Sequence, residues 1–119
     1  MIHGHHIVMK TVPWQWWDAR RPYIQKSQDI LKKYDIKLLG TIDELEKAGA
    51  DELHNMAYAI NGYKGIHSVK YTQAVAEKLE AAVKNGTRQG KAEFDLIQQK
   101  IKDTLAAMKK TLENEGKFW

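Results

Sequence analysis

The chain has 119 residues, of which 43% are hydrophobic and 29% are charged, and this size and composition predict one compact domain rather than two. It contains no cysteine, which excludes disulfide bonds and cysteine-based chemistry, and we expect a cytoplasmic protein. No apolar run approaches the roughly 20 residues that cross a bilayer, so we expect a soluble protein without a membrane partner.

The charge is basic but dispersed. The formal net charge is +4 and the pI is about 9.2, yet the basic residues are scattered from Lys10 to Lys117 among many carboxylates. Proteins that bind nucleic acid usually concentrate basic residues in one stripe, together with aromatic residues or a reading helix. We therefore predict a solvated helical surface and no nucleic acid partner.

Histidines are concentrated at the start of the chain, where MIHGHHIVMK continues no helical pattern. We predict a flexible tail over residues 1–12 and a single helical domain over residues 13–119. His3, His5 and His6 offer imidazole, a ligand for zinc, nickel or copper, but no carboxylate or cysteine lies nearby to complete a site. We therefore predict no metal site and no cofactor. Whether these histidines are native or a vector-derived remnant stays open.

The rest of the chain has apolar residues at spacings of three and four and no alternating β segment, which predicts an all-α fold. Pro13 and Pro22 suit first helical positions, so a short helix is predicted over residues 14–20 and a long one over residues 22–47. Gly49 ends the long helix. Its apolar stripe consists of Ile24, Leu31, Tyr34, Leu38, Ile42 and Leu45.

Three further helices complete the predicted fold. The first covers residues 51–64, the second is capped by Ser68 and stopped by Asn85 and Gly86, and the last covers residues 90–114. The apolar side of the last helix consists of Phe94, Ile97, Ile101, Leu105, Met108 and Leu112. Because short connections make neighbouring helices antiparallel, we predict an antiparallel up-down four-helix bundle with an extra short N-terminal helix.

Bulky aromatic residues gather at both ends of the sequence. They are Trp14, Trp16, Trp17, Phe118 and Trp119. If the first and last helices lie side by side, these residues form one aromatic cap on the bundle. The alternatives are an exposed patch that supports a homodimer, or a short amphipathic membrane contact.

The stretch from Glu52 to Glu80 carries a family resemblance. It runs ELHNMAYAINGYKGIHSVKYTQAVAEKLE. This stretch is similar to the histidine-phosphotransfer (HPt) domain, whose helical signature is His-x-x-Lys-Gly followed by a next helix that closes with Leu-Glu. The corresponding residues here are Tyr58, Ala59, Ile60, Asn61 and Gly62, and then Leu79 and Glu80.

Two departures change the chemistry that the resemblance implies, because Tyr58 takes the histidine position and Asn61 takes the lysine position. Neutral imidazole is nucleophilic near pH 7, whereas a phenol titrates near pH 10 and forms a stable phosphate ester. The resemblance therefore implies a pseudo-HPt module that is not an enzyme. Such a module binds a response-regulator receiver domain or a histidine kinase and modulates a two-component phosphorelay.

The resemblance also implies a docking surface on one helical ridge. If Leu53, Met56 and Ile60 face the core, helical geometry places the ridge beside them, with glycines that allow close approach of a partner. The protein-binding residues of this ridge are His54, Tyr58, Asn61, Gly62, Lys64 and Gly65. Two alternatives stay open: an active phosphotransfer protein that uses His54 or His67, and a helical scaffold protein unrelated to phosphorelay.

Overall fold

The computed structural model describes residues 3–9, 19–38, 55–59 and 68–115. Most of these residues are helical, which supports the all-α prediction at the level of fold class, although two short strand pairs are also present. The helices are α1 (Arg20–Lys33), α2 (Val69–Asn85) and α3 (Phe94–Glu115). The strands β1 (His3–His6) and β2 (Met56–Ala59) form one antiparallel pair, and β3 (Thr87–Arg88) and β4 (Lys91–Ala92) form another. Among the described residues, none of the helices combines the length and apolarity needed to cross a membrane.

The core is formed by one apolar stripe from each helix, as expected for amphipathic helices that bury one face. Helix α1 packs against α2, and α2 packs against α3. The stripe predicted for the last helix is confirmed from Ile97 to Leu112, but Phe94 at its start is 47% exposed. Helix α2 contributes Tyr71, Val75, Leu79 and Ala82, and α1 contributes Ile24 and Leu31.

Helix α1 ends much earlier than predicted, at Lys33 instead of residue 47. Asp35 adopts a left-handed conformation with φ of 59°, and the Ile36 N–H donates to the Leu31 carbonyl oxygen at 2.8 Å. The Asp35 N–H donates to the Lys32 carbonyl oxygen at 3.2 Å. This pair of bonds is a Schellman motif, in which an aspartate, tolerant of this conformation, occupies the position usually taken by glycine. Ile36 and Leu31 are both buried, as expected of the two apolar positions that accompany this motif.

The helix predicted over residues 51–64 is wrong where the structure describes it, because residues 56–59 form strand β2. The register pairs His3 with Ala59 and His6 with Met56. Pairing with a strand about fifty residues away overrides the local apolar spacing that favoured a helix. The described residues contain three helices, so the four-helix bundle is not confirmed.

The N-terminal segment predicted to be a flexible tail contributes to the core instead. Ile7, Val8 and Met9 are buried and belong to the same apolar cluster as the three helices. Burial of three consecutive apolar side chains is favourable in free energy. Because these residues directly follow β1, their burial holds the strand against the core. The predicted short helix over residues 14–20 lies largely outside the described residues, and the terminal aromatic residues lie wholly outside them.

A tight hairpin joins α2 to α3 where only a connection was predicted. Its two-residue turn has Gln89 at φ 51° and Gly90 at φ 74°, the two positive values of a type I′ turn. Just before it, a Cβ on Gly86 would lie 2.7 Å from the Ile97 Cα atom. The end of α2 therefore approaches the start of α3 so closely that only glycine fits there.

One ion pair joins α1 to α2 on the surface. The Lys26 Nζ atom lies 2.7 Å from the Glu80 Oε1 atom, and both side chains are about half exposed to solvent. The hydrogen bond and the negative charge of Glu80 raise the pKa of Lys26 above its ordinary value. Because solvent screens exposed pairs, this contact orients the two helices more than it stabilises them.

Candidate functional site

Two adjacent histidines in β1 form the centre of the candidate site. His5 pairs with Ala57 of β2, and His6 pairs with Met56. Consecutive positions of a strand alternate between its two faces, so the two histidine positions lie on opposite sides of the ladder. The His6 side chain is half-buried, and its Nε2 atom is shielded from solvent.

Asn55 holds the backbone that follows the histidines. It is 0% exposed and lies directly before β2. The Val8 N–H donates to the Asn55 Oδ1 atom at 2.7 Å, and the Asn55 Nδ2 atom donates to the Val8 carbonyl oxygen at 2.8 Å. The Ile7 N–H also donates to the Asn55 carbonyl oxygen at 2.9 Å. The side-chain amide thus acts as one more peptide group of the ladder and satisfies both polar groups of a buried residue.

Two helices hold the neighbouring residues of the same segment. The Tyr71 hydroxyl of α2 donates to the Ile7 carbonyl oxygen at 2.6 Å, and both residues are buried. The Gln28 Nε2 atom of α1 donates to the Met9 carbonyl oxygen at 2.7 Å. Three consecutive carbonyl groups after the histidine pair are therefore bonded to three different side chains. We call Asn55, Tyr71 and Gln28 the backbone clamp.

Local sequence signals place Tyr71 in this clamp. The Ser68 side chain accepts a hydrogen bond from the Tyr71 N–H at 3.1 Å, which confirms the predicted cap. Capping fixes the first turn of α2 and so fixes the direction in which Tyr71 leaves the helix. A serine at this position therefore connects the start of a helix to the geometry of the histidine strand.

The chemistry available at this site is that of imidazole on a rigid support. Imidazole gains and loses a proton near neutral pH, which suits general acid and base catalysis. Catalytic side chains perform best on elements whose own conformation is fixed by surrounding contacts, and the backbone clamp supplies such contacts. Within the part of the chain that the structure describes, no three His, Asp or Glu side chains come together as a metal site.

The predicted docking ridge has a different structure from the one expected. Tyr58 lies in strand β2, where it pairs with Gly4, so it does not lie on a helix. It is the only predicted protein-binding residue within the described residues, and it neighbours the histidine strand. The other five, His54, Asn61, Gly62, Lys64 and Gly65, lie outside them.

The residues of the backbone clamp were missed by sequence reasoning, and the histidine pair was considered only as a metal ligand. One usable signal was the apolar run Ile7 and Val8 directly after the histidines, which is more typical of a buried segment than of a tail. The roles of Asn55 and Tyr71 had no local signal, because each depends on a backbone group far away in the sequence. Their partners are separated from them by 47 and 64 residues.

Removing the Tyr71 hydroxyl tests the clamp directly. We expect Tyr71→Phe to lower the free energy of unfolding by about 1–3 kcal/mol, because it leaves the buried Ile7 carbonyl without its donor. Urea denaturation measures this difference. Tyr23→Phe, at a half-buried tyrosine of α1, is the matched control, and we expect it to stay within about 0.5 kcal/mol of the parent protein. Equal effects of the two substitutions would contradict the assigned role of Tyr71.

Comparison with protein families gives a match over nearly the whole chain. A family model matches residues 2–112, and it is described as a nuclease family of the HNH/ENDO VII superfamily with conserved AHH. The chain has one pair of adjacent histidines, His5 and His6, which lies within the matched range and is preceded by Gly4 rather than by alanine. No curated protein and no solved structure matches the chain significantly.

This match overturns the functional predictions made from the HPt resemblance. The pseudo-HPt function, the active phosphotransfer alternative and the scaffold alternative are contradicted, as are the receiver and kinase partners. The predictions that the protein is not an enzyme and has no nucleic acid partner are wrong for the same reason. The resemblance rested on apolar and glycine spacing in a segment that contains a strand. Because the family model covers nearly the whole chain, including the histidine pair, the chain belongs to the AHH nuclease family of the HNH/ENDO VII superfamily.

Proposed function

We propose that this protein is a nuclease that hydrolyses phosphodiester bonds in nucleic acid, with the pair His5 and His6 at its reactive centre. The observation that carries the proposal is the adjacent histidine pair within the range matched by a nuclease family. The backbone clamp supports it, because a catalytic group needs a fixed position relative to the scissile bond.

Imidazole supplies the proton transfer that phosphodiester hydrolysis requires. Water attacks phosphorus, a neutral imidazole accepts a proton from that water, and the bond between phosphorus and the leaving sugar oxygen breaks. The leaving oxygen takes up a proton, so one phosphodiester and one water give a phosphomonoester and a hydroxyl group. We assign the proton-accepting role to His5. His6, half-buried with a shielded Nε2 atom, is assigned a positioning role.

The charge of the protein suits a polyanionic substrate. The formal net charge is +4, and Lys32 and Lys33 lie in the last turn of α1. A net positive field raises the rate of encounter with nucleic acid and makes binding weaker at high salt. The dispersed lysines that first indicated only a solvated surface are consistent with sequence-independent contact with phosphates.

We infer that a single domain carries the proposed activity. The buried cluster joins Ile7 near the start of the chain to Leu112 near its end, with residues from all three helices between them. We therefore infer that residues 2–112 act as one catalytic unit. The histidine strand belongs to this unit because the residues after it are part of the core.

A cleavage assay tests the proposed function. Purified protein is incubated with plasmid DNA, single-stranded DNA and RNA, with magnesium and with a chelator, and the products are separated by electrophoresis. We expect cleavage of at least one substrate, and at least a hundredfold slower cleavage by the double variant His5→Ala/His6→Ala. Circular dichroism checks that the double variant is folded. Absence of cleavage by the parent protein, or equal cleavage by a folded double variant, would refute the proposal.

A further inference from the structure

An aromatic ring is exposed at the junction of α1 and α3. Phe94, the first residue of α3, is 47% exposed, although its spacing from Ile97 placed it on the predicted apolar stripe. Its ring packs against the ring of Tyr34, with centroids 5.5 Å apart and planes tilted by 39°. Tyr34 is only 3% exposed. The Phe94 ring is therefore held by a buried aromatic neighbour while about half of the residue faces solvent.

One lysine contacts this ring pair, and others lie at the same end of α1. The Lys33 Nζ atom lies 5.6 Å from the centroid of the Tyr34 ring, within the range of a cation–π contact. Lys32 and Lys37 line a depression of about 260 Å³ at the end of α1. The exposed charged residues close to this region in the sequence are Lys32, Lys33, Lys37 and Lys91, against Asp35, Glu93 and Asp95. These segments therefore carry an excess of one positive charge, and Lys33 lies at the ring pair itself.

This region is connected to the histidine strand through α1. Gln28 bonds to the Met9 carbonyl, and Tyr34 follows six residues later, about 9 Å further along the helix axis. At the other end, the Gln98 Nε2 atom donates to the Tyr34 carbonyl oxygen at 2.9 Å and so fixes the start of α3 to the end of α1.

We propose that Lys32, Lys33, Tyr34 and Phe94 form a second nucleic-acid contact, the Phe94 surface, which binds single-stranded nucleic acid. An unpaired base stacks on the exposed Phe94 ring while Lys32 and Lys33 face its phosphates. Stacking requires an unpaired base with an accessible face, and any of the bases can stack. Proteins that bind single strands without sequence preference use aromatic side chains in this way. The inference rests on the proposed nuclease function and adds a substrate class to it.

Charge complementarity favours this occupant over a protein. An apolar partner segment would need a continuous apolar patch, whereas Phe94 and Val69 are the two exposed large apolar side chains among the residues that the structure describes. A polyanion with flat aromatic bases matches both features of the Phe94 surface. Binding of an acidic protein and not of nucleic acid is an outcome that the test distinguishes.

Binding measurements with an inactive protein test the Phe94 surface. The double variant His5→Ala/His6→Ala is titrated into a short fluorescein-labelled oligothymidylate and into a duplex of equal length, and fluorescence anisotropy gives both affinities. Adding Phe94→Leu keeps an apolar contact with Tyr34 but removes the ring. We expect it to weaken single-strand binding by about five- to a hundredfold and duplex binding by much less. Phe94→Trp is expected to bind the single strand at least as tightly.

Two matched controls separate the Phe94 surface from general effects. Val69→Ala alters the other exposed large apolar residue of the described chain, and Lys100→Gln removes a lysine in the groove between α2 and α3. Both are expected to leave single-strand affinity within about twofold, whereas Lys33→Gln is expected to weaken it and to lower its salt dependence. Thermal unfolding of each variant excludes loss of fold.

The outcomes are distinct from those of the cleavage assay. Unchanged single-strand affinity in Phe94→Leu, or an equal loss on duplex, overturns the Phe94 surface even where the parent protein cleaves nucleic acid. A parent protein that cleaves nothing refutes the nuclease proposal, whatever Phe94→Leu does to binding. Failure of every variant to bind nucleic acid, together with capture of an acidic protein through Phe94, also overturns the inference.

Discussion

Replacing Asn55 by alanine is expected to lower the free energy of unfolding by about 2–6 kcal/mol, because it leaves the buried N–H and carbonyl of Val8 without partners. Each buried polar group that loses its hydrogen bond costs about 1–3 kcal/mol. A domain of this size is stable by only about 5–15 kcal/mol, so this single substitution removes a large share of the total. Urea denaturation followed by circular dichroism measures the loss.

The matched control for this substitution is Asn85→Ala at the exposed last residue of α2. It removes the same side chain where no buried backbone depends on it, and we expect a change within about 0.5 kcal/mol. Asn55→Asp retains an acceptor for the Val8 N–H but loses the donor to the Val8 carbonyl and buries a charge. We expect it to destabilise the protein at neutral pH as much as alanine does. Similar unfolding energies for Asn55→Ala and Asn85→Ala would contradict the clamp.

The Asn55→Ala substitution is also expected to lower the rate of cleavage. The Val8 backbone lies two residues after His6, so loosening it lets the histidine strand move relative to bound substrate. Small errors in the placement of a catalytic group cost rate even where the fold survives. Measuring cleavage by Asn55→Ala at a temperature where the variant is still folded separates this effect from unfolding.

The helices with strong local signals were predictable from the sequence. Ser68 provides a cap, and Val75 and Leu79 follow at helical spacing, so the start and the buried face of α2 are determined by residues within one segment. The same holds for α3 from Ile97 onwards. Its beginning could not be read locally, because the β hairpin and the exposed Phe94 replace the first predicted turn.

The paired strands β1 and β2 were beyond local reasoning for a physical reason. Each has four residues, too few for periodicity to decide, and their pairing joins His3 to Ala59 across most of the first half of the chain. The stability of such strands depends on neighbours brought together by the fold rather than on intrinsic preference. A segment with helical spacing was therefore assigned to a helix, and the HPt resemblance followed from that assignment.

The candidate site depended on the same long-range pairing. The histidines were visible in the sequence, but their fixed position depends on the backbone clamp. The three residues of the clamp come from three separate segments of the chain. Asn55 is a polar residue that is completely buried, and such residues are expected to be hydrogen-bonded and specific in role. Sequence alone indicated neither its burial nor its partner.

The two histidines are expected to respond differently to substitution. We expect His5→Ala to reduce the cleavage rate by about 10²- to 10⁴-fold, the usual contribution of a proton-transferring side chain. His6→Ala is expected to reduce the rate and also to lower the free energy of unfolding by about 0.5–3 kcal/mol, because the His6 side chain is half-buried. Single-turnover cleavage and urea denaturation of the same preparations measure the two quantities.

His3→Ala is the internal control, since His3 lies in the same strand but outside the adjacent pair. We expect it to retain cleavage within a few-fold of the parent protein, because it does not belong to the adjacent histidine pair. Addition of free imidazole is expected to restore part of the activity of His5→Ala but not of His6→Ala, because only the proton-accepting role can be filled by a small diffusing base. Equal rates for His3→Ala and His5→Ala, or rescue of His6→Ala alone, would reverse the assignment of roles within the pair.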